Sequence, residues 1–329
     1  MGISAVVAAG DRGAAKDVRG ESKVFLELGG RPLVAWVVGS LQRVPEVSEV
    51  WVVGDAERLA AVFERPELAR EIEKPLQVIP QFRNLYENLW ESYRRVLPGA
   101  GSEGRDPIGA DDDVPVLYLS GDLPFATPQE ISQFVQRGLE SGAEYALGLV
   151  TEESMGGFHP EAPGQPGIVM ATFNMREGRF RQSNLHLVKP GRLRNRTLIQ
   201  DMYENRHQRE LGAVLMLSLR LLAKGGMATL WYFLLMHGAG LADRWGMRDL
   251  ADRVRGWVPL ARVARGCGEL LGTHFQFVCT EVGGCAVDID TELDYDASQA
   301  RFDEWRASQS QRAERLASRL PLAEPGETR

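Results

Sequence analysis

Cysteine is scarce in this chain of 329 residues: Cys267, Cys279 and Cys285 stand without a C-x-x-C spacing. Neither a zinc site nor a disulfide framework is expected, and a reducing cytoplasm fits. The five histidines (His159, His186, His207, His237 and His274) show no ligand spacing and read as structural. No uninterrupted apolar run reaches the ~20 residues that a membrane-spanning helix needs. The first residues enter a strand without a basic segment, apolar core and cleavage site, so no signal peptide is expected. Positive charge is in deficit too, at 38 Lys and Arg against 45 Asp and Glu, a net charge of -7. That balance argues against a nucleic-acid binder, whose footprint is a basic excess. What is present, 44% apolar and 25% charged residues, is the composition of a globular protein of one large or two modest domains.

The chain is organised around residues 3–34. Residues 3–9 (ISAVVAA) are an apolar run of the kind that forms a buried strand, and Gly10 opens the loop that follows. The loop to Gly20 carries Gly10, Gly13 and Gly20 among Asp11, Arg12, Lys16, Asp17 and Arg19, with almost nothing bulky to bury. Glycines let backbone N–H groups approach an anion, and lysine or arginine beside them neutralises phosphate oxygens. Next come Ser22-Lys23-Val24-Phe25-Leu26 and Leu28-Gly29-Gly30-Arg31-Pro32-Leu33-Val34.

Strand and helix patterns then alternate. Helices are expected at residues 31–44, 55–64 and 84–97, and strands at 49–54, 76–80 and 114–120. That alternation implies a parallel sheet covered on both faces, with ligands bound at the carboxyl ends of its strands. Gln81, Phe82, Arg83 and Asn84 sit at one such end. Residues 98–113 read as a surface loop whose Asp111-Asp112-Asp113 run is solvated, because it precedes a strand instead of ending one. Gly121-Asp122 directly follows the strand 114–120, and Thr127-Pro128-Gln129-Glu130 supplies the next helix with a capping box of its own. Asp122 is therefore spare for chemistry.

Further strands are expected at 144–150, at 168–173 and 183–188 paired about a turn at Glu177-Gly178, and at 275–280 and 286–289. Around that hairpin Arg176, Arg179, Arg181, Lys189, Arg192, Arg194 and Arg196 form a basic cluster. Lys189 and Arg192 read as receiving an anionic acceptor and the others as facing solvent. Between them the β pattern gives way to helices at 197–223, 226–241, 249–257 and 260–271. This divides the chain into a core (1–190 and 273–318), a helical insertion (191–272) and a tail (319–329). The apolar helices of the insertion read as a buried pair or an oligomer face, a homodimer included, ahead of a monotopic membrane contact.

The opening stretch resembles the signature of the nucleotidyltransferases of the MobA-like and sugar-nucleotide pyrophosphorylase type: a strand, an A-A-G-x-G-x-R loop, a P-K-x-L lysine and a G-x-P-L turn into a helix. Here the loop is one residue longer, leaving Arg12 or Lys16 in the arginine's place, and Ser22 stands for the proline. Val287-Asp288-Ile289-Asp290-Thr291-Glu292-Leu293 is similar to the closing D-I-D-T-P-E-D-L pattern, with Leu293 as a departure. The resemblance implies a three-layer, Rossmann-like (GT-A type) α/β fold. It further implies nucleotide binding by Ala8, Ala9, Gly10, Asp11, Arg12, Gly13, Lys16, Lys23, Gln81, Arg83, Asn88, Gly121 and Asp122, with Lys23 on the triphosphate. Asn184 would contact the acceptor beside Lys189 and Arg192, and Asp122 would hold Mg²⁺ with Asp290 first and Asp288 second.

The expected function is Mg²⁺-dependent transfer of a nucleoside monophosphate from a triphosphate, CTP or GTP, to a phosphorylated small molecule, with release of pyrophosphate. The alternatives are a glycosyltransferase consuming a nucleotide sugar and a catalytically inactive nucleotide-binding protein.

Overall fold

The computed structural model describes residues 2–10, 17–195, 231–232, 234–243 and 245–318. Its frame is an eight-stranded sheet. β1 (Ile3–Ala9) lies at the centre, with β6 (Val47–Gly54) and β7 (Leu76–Pro80) on one side and β8 (Val116–Ser120) on the other, all parallel. Beyond β8 come β11 (Gly178–Val188), β9 (Tyr145–Thr151) and β12 (Phe275–Thr280), and β10 (Phe173–Met175) pairs with β11. β11 runs antiparallel to both of its long neighbours, so its first residues lie at the edge where β8 and β9 end. Two small two-residue ladders, β2 (Asp17–Val18) with β3 (Glu21–Ser22) and β4 (Glu27–Leu28) with β5 (Arg31–Pro32), shape the chain between β1 and the first helix.

The central strands are apolar on both faces because both are covered. Ala5, Val7 and Ala9 of β1 and Leu117 and Leu119 of β8 join one core with α1 (Leu33–Leu41), α2 (Ala56–Phe63) and α5 (Pro128–Glu140). The alternate residues Val6, Val116 and Tyr118 face a second core with Tyr93 and Leu97 at the end of α4 (Leu85–Val96). The remaining helices of the core are α3 (Pro66–Ala69) and α6 (Glu152–Met155).

Of the insertion, residues 234–243, α7 (Arg248–Arg255) and α8 (Leu260–Leu271) are helical, and the expected helix 197–223 lies outside the described residues. No described helix is long and apolar enough to cross a membrane. The chain closes with α9 (Glu292–Ala317), whose buried Trp305 packs with Phe125 and Phe158, and whose Tyr295 hydroxyl donates to the Glu27 carbonyl at 2.7 Å. α9 thereby clasps the segment that follows β3.

Four local expectations are corrected. Residues 286–289 form no strand: a 3-10 turn, Gly284–Ala286, is followed by extended chain, because the sheet ends at β12. Only Phe173 of the expected strand 168–173 joins the sheet, through β10. Thr127 caps α5 by accepting from the Glu130 N–H at 3.3 Å, but Glu130 does not close a box. Its buried carboxylate instead accepts from the Cys285 N–H at 3.0 Å and the Thr280 hydroxyl at 3.3 Å, tying α5 to the turn after β12. The acidic run at 111–113 is also less solvated than expected: Asp111 is buried and takes a bidentate pair from Arg105 at 2.6 and 2.9 Å.

Candidate active site

The site forms where β1, β6, β7 and β8 end together. Ala8 pairs with Ser120 and Ala9 with Gly54 in the parallel register, so the chain leaves β1 at Gly10 level with the ends of its neighbours. A side chain at Gly10 would stand 2.9 Å from the Gln81 amide oxygen and 3.5 Å from the Asn88 amide nitrogen, which puts these three residues side by side. Asn88 is aimed by accepting from the Phe82 N–H at 2.6 Å. Asp11, Arg12, Gly13 and Lys16 lie outside the described residues.

The chain returns through β2 and β3, turning at Arg19 and Gly20, both with positive φ as a tight hairpin demands. This delivers Lys23 to the mouth of the sheet. Its ammonium sits between Asp122 at 2.8 Å and Asp290 at 2.6 Å, with only 15% of the side chain exposed. Burial alone would lower its pKa, yet the attraction of Asp122 and Asp290 and the hydrogen bonds to them more than reverse this, so Lys23 holds its proton more tightly than an ordinary lysine.

Asp122 is 3% exposed and accepts from the Ser120 hydroxyl. Gly121 before it donates its N–H to the Ala8 carbonyl at 2.9 Å. Asp288 lies deeper than Asp290. Its pKa is pushed up to about 6, first by burial and then by the neighbouring Asp122 and Asp290 charges, against which Arg181 and Lys23 pull down. Arg181 donates to Asp288 at 2.8 Å and to the Ala286 carbonyl at 2.8 Å. Three carboxylates thus crowd around one ammonium, so their electrostatics favour an added cation. Their all-oxygen chemistry suits a hard ion such as Mg²⁺, which takes one or two carboxylates and completes its shell with water and phosphate. Among the described residues no group of three or more His, Cys, Asp or Glu side chains is arranged to hold a metal ion by itself.

The acceptor residues divide. Asn184, opposite the end of β8, points its amide nitrogen toward the Cys285 carbonyl at 3.4 Å and stays beside the site. Lys189 and Arg192 do not reach it. They follow Val188, which pairs with Val116 at the beginning of β8, and they bind Asp113 at 3.8 and 2.5 Å. At about 3.3 Å per residue, the length of β8 separates them from Asp122 by roughly 15 Å. Their expected acceptor role at this site is therefore corrected, and Arg181, expected to face solvent, takes the place beside the carboxylates. The signal that could have located it is strand direction: in an antiparallel β11 the early arginines, not the late ones, lie at the binding edge. Arg83 occupies the end of β7 but is 82% exposed and pairs with Glu87.

Residues 5–166 match the MobA-like NTP transferase domain. Over 144 residues the chain is 26% identical to 2-C-methyl-D-erythritol 4-phosphate cytidylyltransferase of Chlorobium luteolum, a match covering 44% of this chain and 57% of that one. The chain thus matches little more than half the length of that curated relative. A hypothetical transferase structure from Thermus thermophilus shares the fold, with a TM-score of 0.57 and 24% identity across 89% of this chain and 99% of that one. The family match, over 162 of the 329 residues, makes the first half of this chain similar to the MobA-like NTP transferase family.

Proposed function

We propose that the chain transfers a nucleoside monophosphate from a nucleoside triphosphate to a phosphorylated small molecule, releasing pyrophosphate. The observation that carries the reading is Lys23 held between Asp122 and Asp290 beside the glycine-opened end of β1. The name of the Chlorobium relative describes cytidylyl transfer to a sugar-alcohol phosphate, which favours CTP over GTP as the donor and a phosphate group as the acceptor.

Asp122, together with Asp290 or Asp288, would hold Mg²⁺, which when bound neutralises triphosphate charge. Lys23 would exchange one of its carboxylate partners for a phosphate oxygen, keeping its charge throughout because both partners stabilise the protonated form. Gly10 leaves the backbone open to the nucleotide, with Gln81 and Asn88 at its flank. An acceptor phosphate oxygen attacks the α-phosphorus in line, the bond to the β-phosphate oxygen breaks, and the electron pair leaves with pyrophosphate. A phosphate oxygen is already deprotonated at neutral pH, so no general base is required. That agrees with the absence of histidine from the residues assembled here.

The test is pyrophosphate release on mixing the protein with Mg²⁺, each of the four triphosphates and a panel of polyol and sugar phosphates. Release with CTP or GTP and a phosphorylated acceptor is expected. Triphosphate binding without turnover, or hydrolysis of a nucleotide sugar instead, overturns the proposal.

A further inference from the structure

We infer that the helical insertion carries a face that docks onto an anionic lipid bilayer. Among the described residues, seven of the twelve exposed large apolar side chains fall within residues 231–257. The helix spanning residues 234–243 buries Ala239 and Ala242 and sets Met236 against Met175 and Phe180. The helix leaves Leu234 and Leu241 exposed in line with Trp231, and Trp245 is exposed in the turn that follows it. Exposure continues around α7, with Met247 just before it, Leu250 and Arg253 on it and Trp257 just after it. Trp231, Trp245 and Trp257 are 57, 68 and 72% exposed, while the other four tryptophans of the chain pack inside or at partly covered positions. A patch of this concentration marks an interaction surface.

Charge selects the occupant. Residues 191–272 hold thirteen Lys and Arg against seven Asp and Glu, leaving twenty-five against thirty-eight in the rest of the chain. The insertion is thus a basic segment in an acidic protein, and residues 211–241 contain Arg220 and Lys224 but no acidic residue. Arg253, Arg262 and Arg265 are exposed and form no ion pair among the described residues. A second copy packed face to face would set these arginines against their equivalents. A bilayer with anionic headgroups accepts both features, since arginine pairs with phosphate while tryptophan settles at the boundary between headgroup and acyl chain. The insertion is joined to the binding edge of the sheet, for Arg179 at the start of β11 pairs with Asp243 at 3.2 Å and Asp252 at 3.0 Å. Docking in this way holds the nucleotide site close to the membrane surface.

The test is flotation of the full-length protein with vesicles of phosphatidylcholine alone or mixed with phosphatidylglycerol, read together with tryptophan emission. The expected result is co-flotation with the anionic vesicles, a blue shift of the emission, and release at high salt. Trp245→Ser combined with Trp257→Ser, and separately Arg253→Glu combined with Arg262→Glu, should each lower partitioning about tenfold or more while leaving the melting temperature unchanged. Wild-type protein that stays unbound overturns the inference, as does equal binding to neutral and anionic vesicles. A concentration-dependent dimer that both variants dissolve, without vesicle binding, assigns the face to a second copy instead.

Discussion

Arg181 on β11 grips Asp288 across 107 residues of sequence, with 2.8 Å from its guanidinium to the carboxylate and a second bond, also 2.8 Å, to the Ala286 carbonyl. The pair fixes the closing segment of the core against the sheet at the point where the carboxylates gather. Arg181 therefore orients Asp288 and offsets part of the charge crowding that raises its pKa. Arg181→Leu should lower kcat about 10- to 100-fold, the usual cost of losing a group that orients a ligand-bearing carboxylate. The KM for Mg²⁺ should rise with it. Steady-state pyrophosphate release over a magnesium titration checks both.

Lys23 and Asp122 should behave as one unit. Lys23→Met removes the cation from among three carboxylates and from the proposed triphosphate site, with an expected loss of about 10²- to 10³-fold in kcat. Mg²⁺ and CTP together should raise the melting temperature of the wild type, and Asp122→Asn should abolish that rise. Thermal melts with and without EDTA measure it, and residual wild-type turnover in Asp122→Asn would remove this aspartate from the metal site.

Lys189→Ala combined with Arg192→Ala should leave kcat and KM within about twofold of wild type, since both side chains belong to Asp113 at the far edge of the sheet. The exposed pairs they lose are screened by solvent, so the urea midpoint should stay almost unchanged.

Glu130 sets a pH dependence of folding. Burial, partly opposed by the bonds from Cys285 and Thr280, pushes its pKa up to about 8 from 4.5. A carboxyl that holds its proton more tightly in the folded state contributes stability that is complete below 4.5 and is lost as the pH rises through 8. Unfolding free energy, read from urea titrations, should therefore fall across that interval by on the order of 5 kcal/mol. Glu130→Gln removes the titration and keeps an amide oxygen to accept from the Cys285 N–H, so it should flatten the slope and be the more stable form at pH 9.

Gly284 offers a purely steric test. A β-carbon there would stand 1.9 Å from the Phe125 carbonyl oxygen, and a backbone atom cannot swing aside. Gly284→Ala should destabilise by about 3 kcal/mol or more and loosen the segment bearing Asp288, whereas Gly156→Ala, with open space around it, should cost little.

Local chemistry was enough to read most elements from the chain. The run ISAVVAA forms β1, Asp55 and Asn84 cap α2 and α4 as their side chains allow, and Asp122 at the end of β8 is left to Lys23 because Thr127 caps the helix that follows. Period, caps and turn residues act within a few positions, so sequence alone carries them.

What sequence could not decide is which way a strand runs and what lies beside it. The arginines from 176 to 196 are chemically alike, and only the antiparallel course of β11 brings Arg181 to Asp288 while sending Lys189 and Arg192 to Asp113. Glu130 has the spacing of a capping residue, yet the turn after β12 passes close enough to claim its carboxylate. The motifs at the two ends of the core were legible as separate carboxylates and a lysine. Their meeting within 3 Å around Lys23 belongs to tertiary structure, because long-range pairing and strand order are set by how whole faces bury against one another and leave no trace in neighbouring residues.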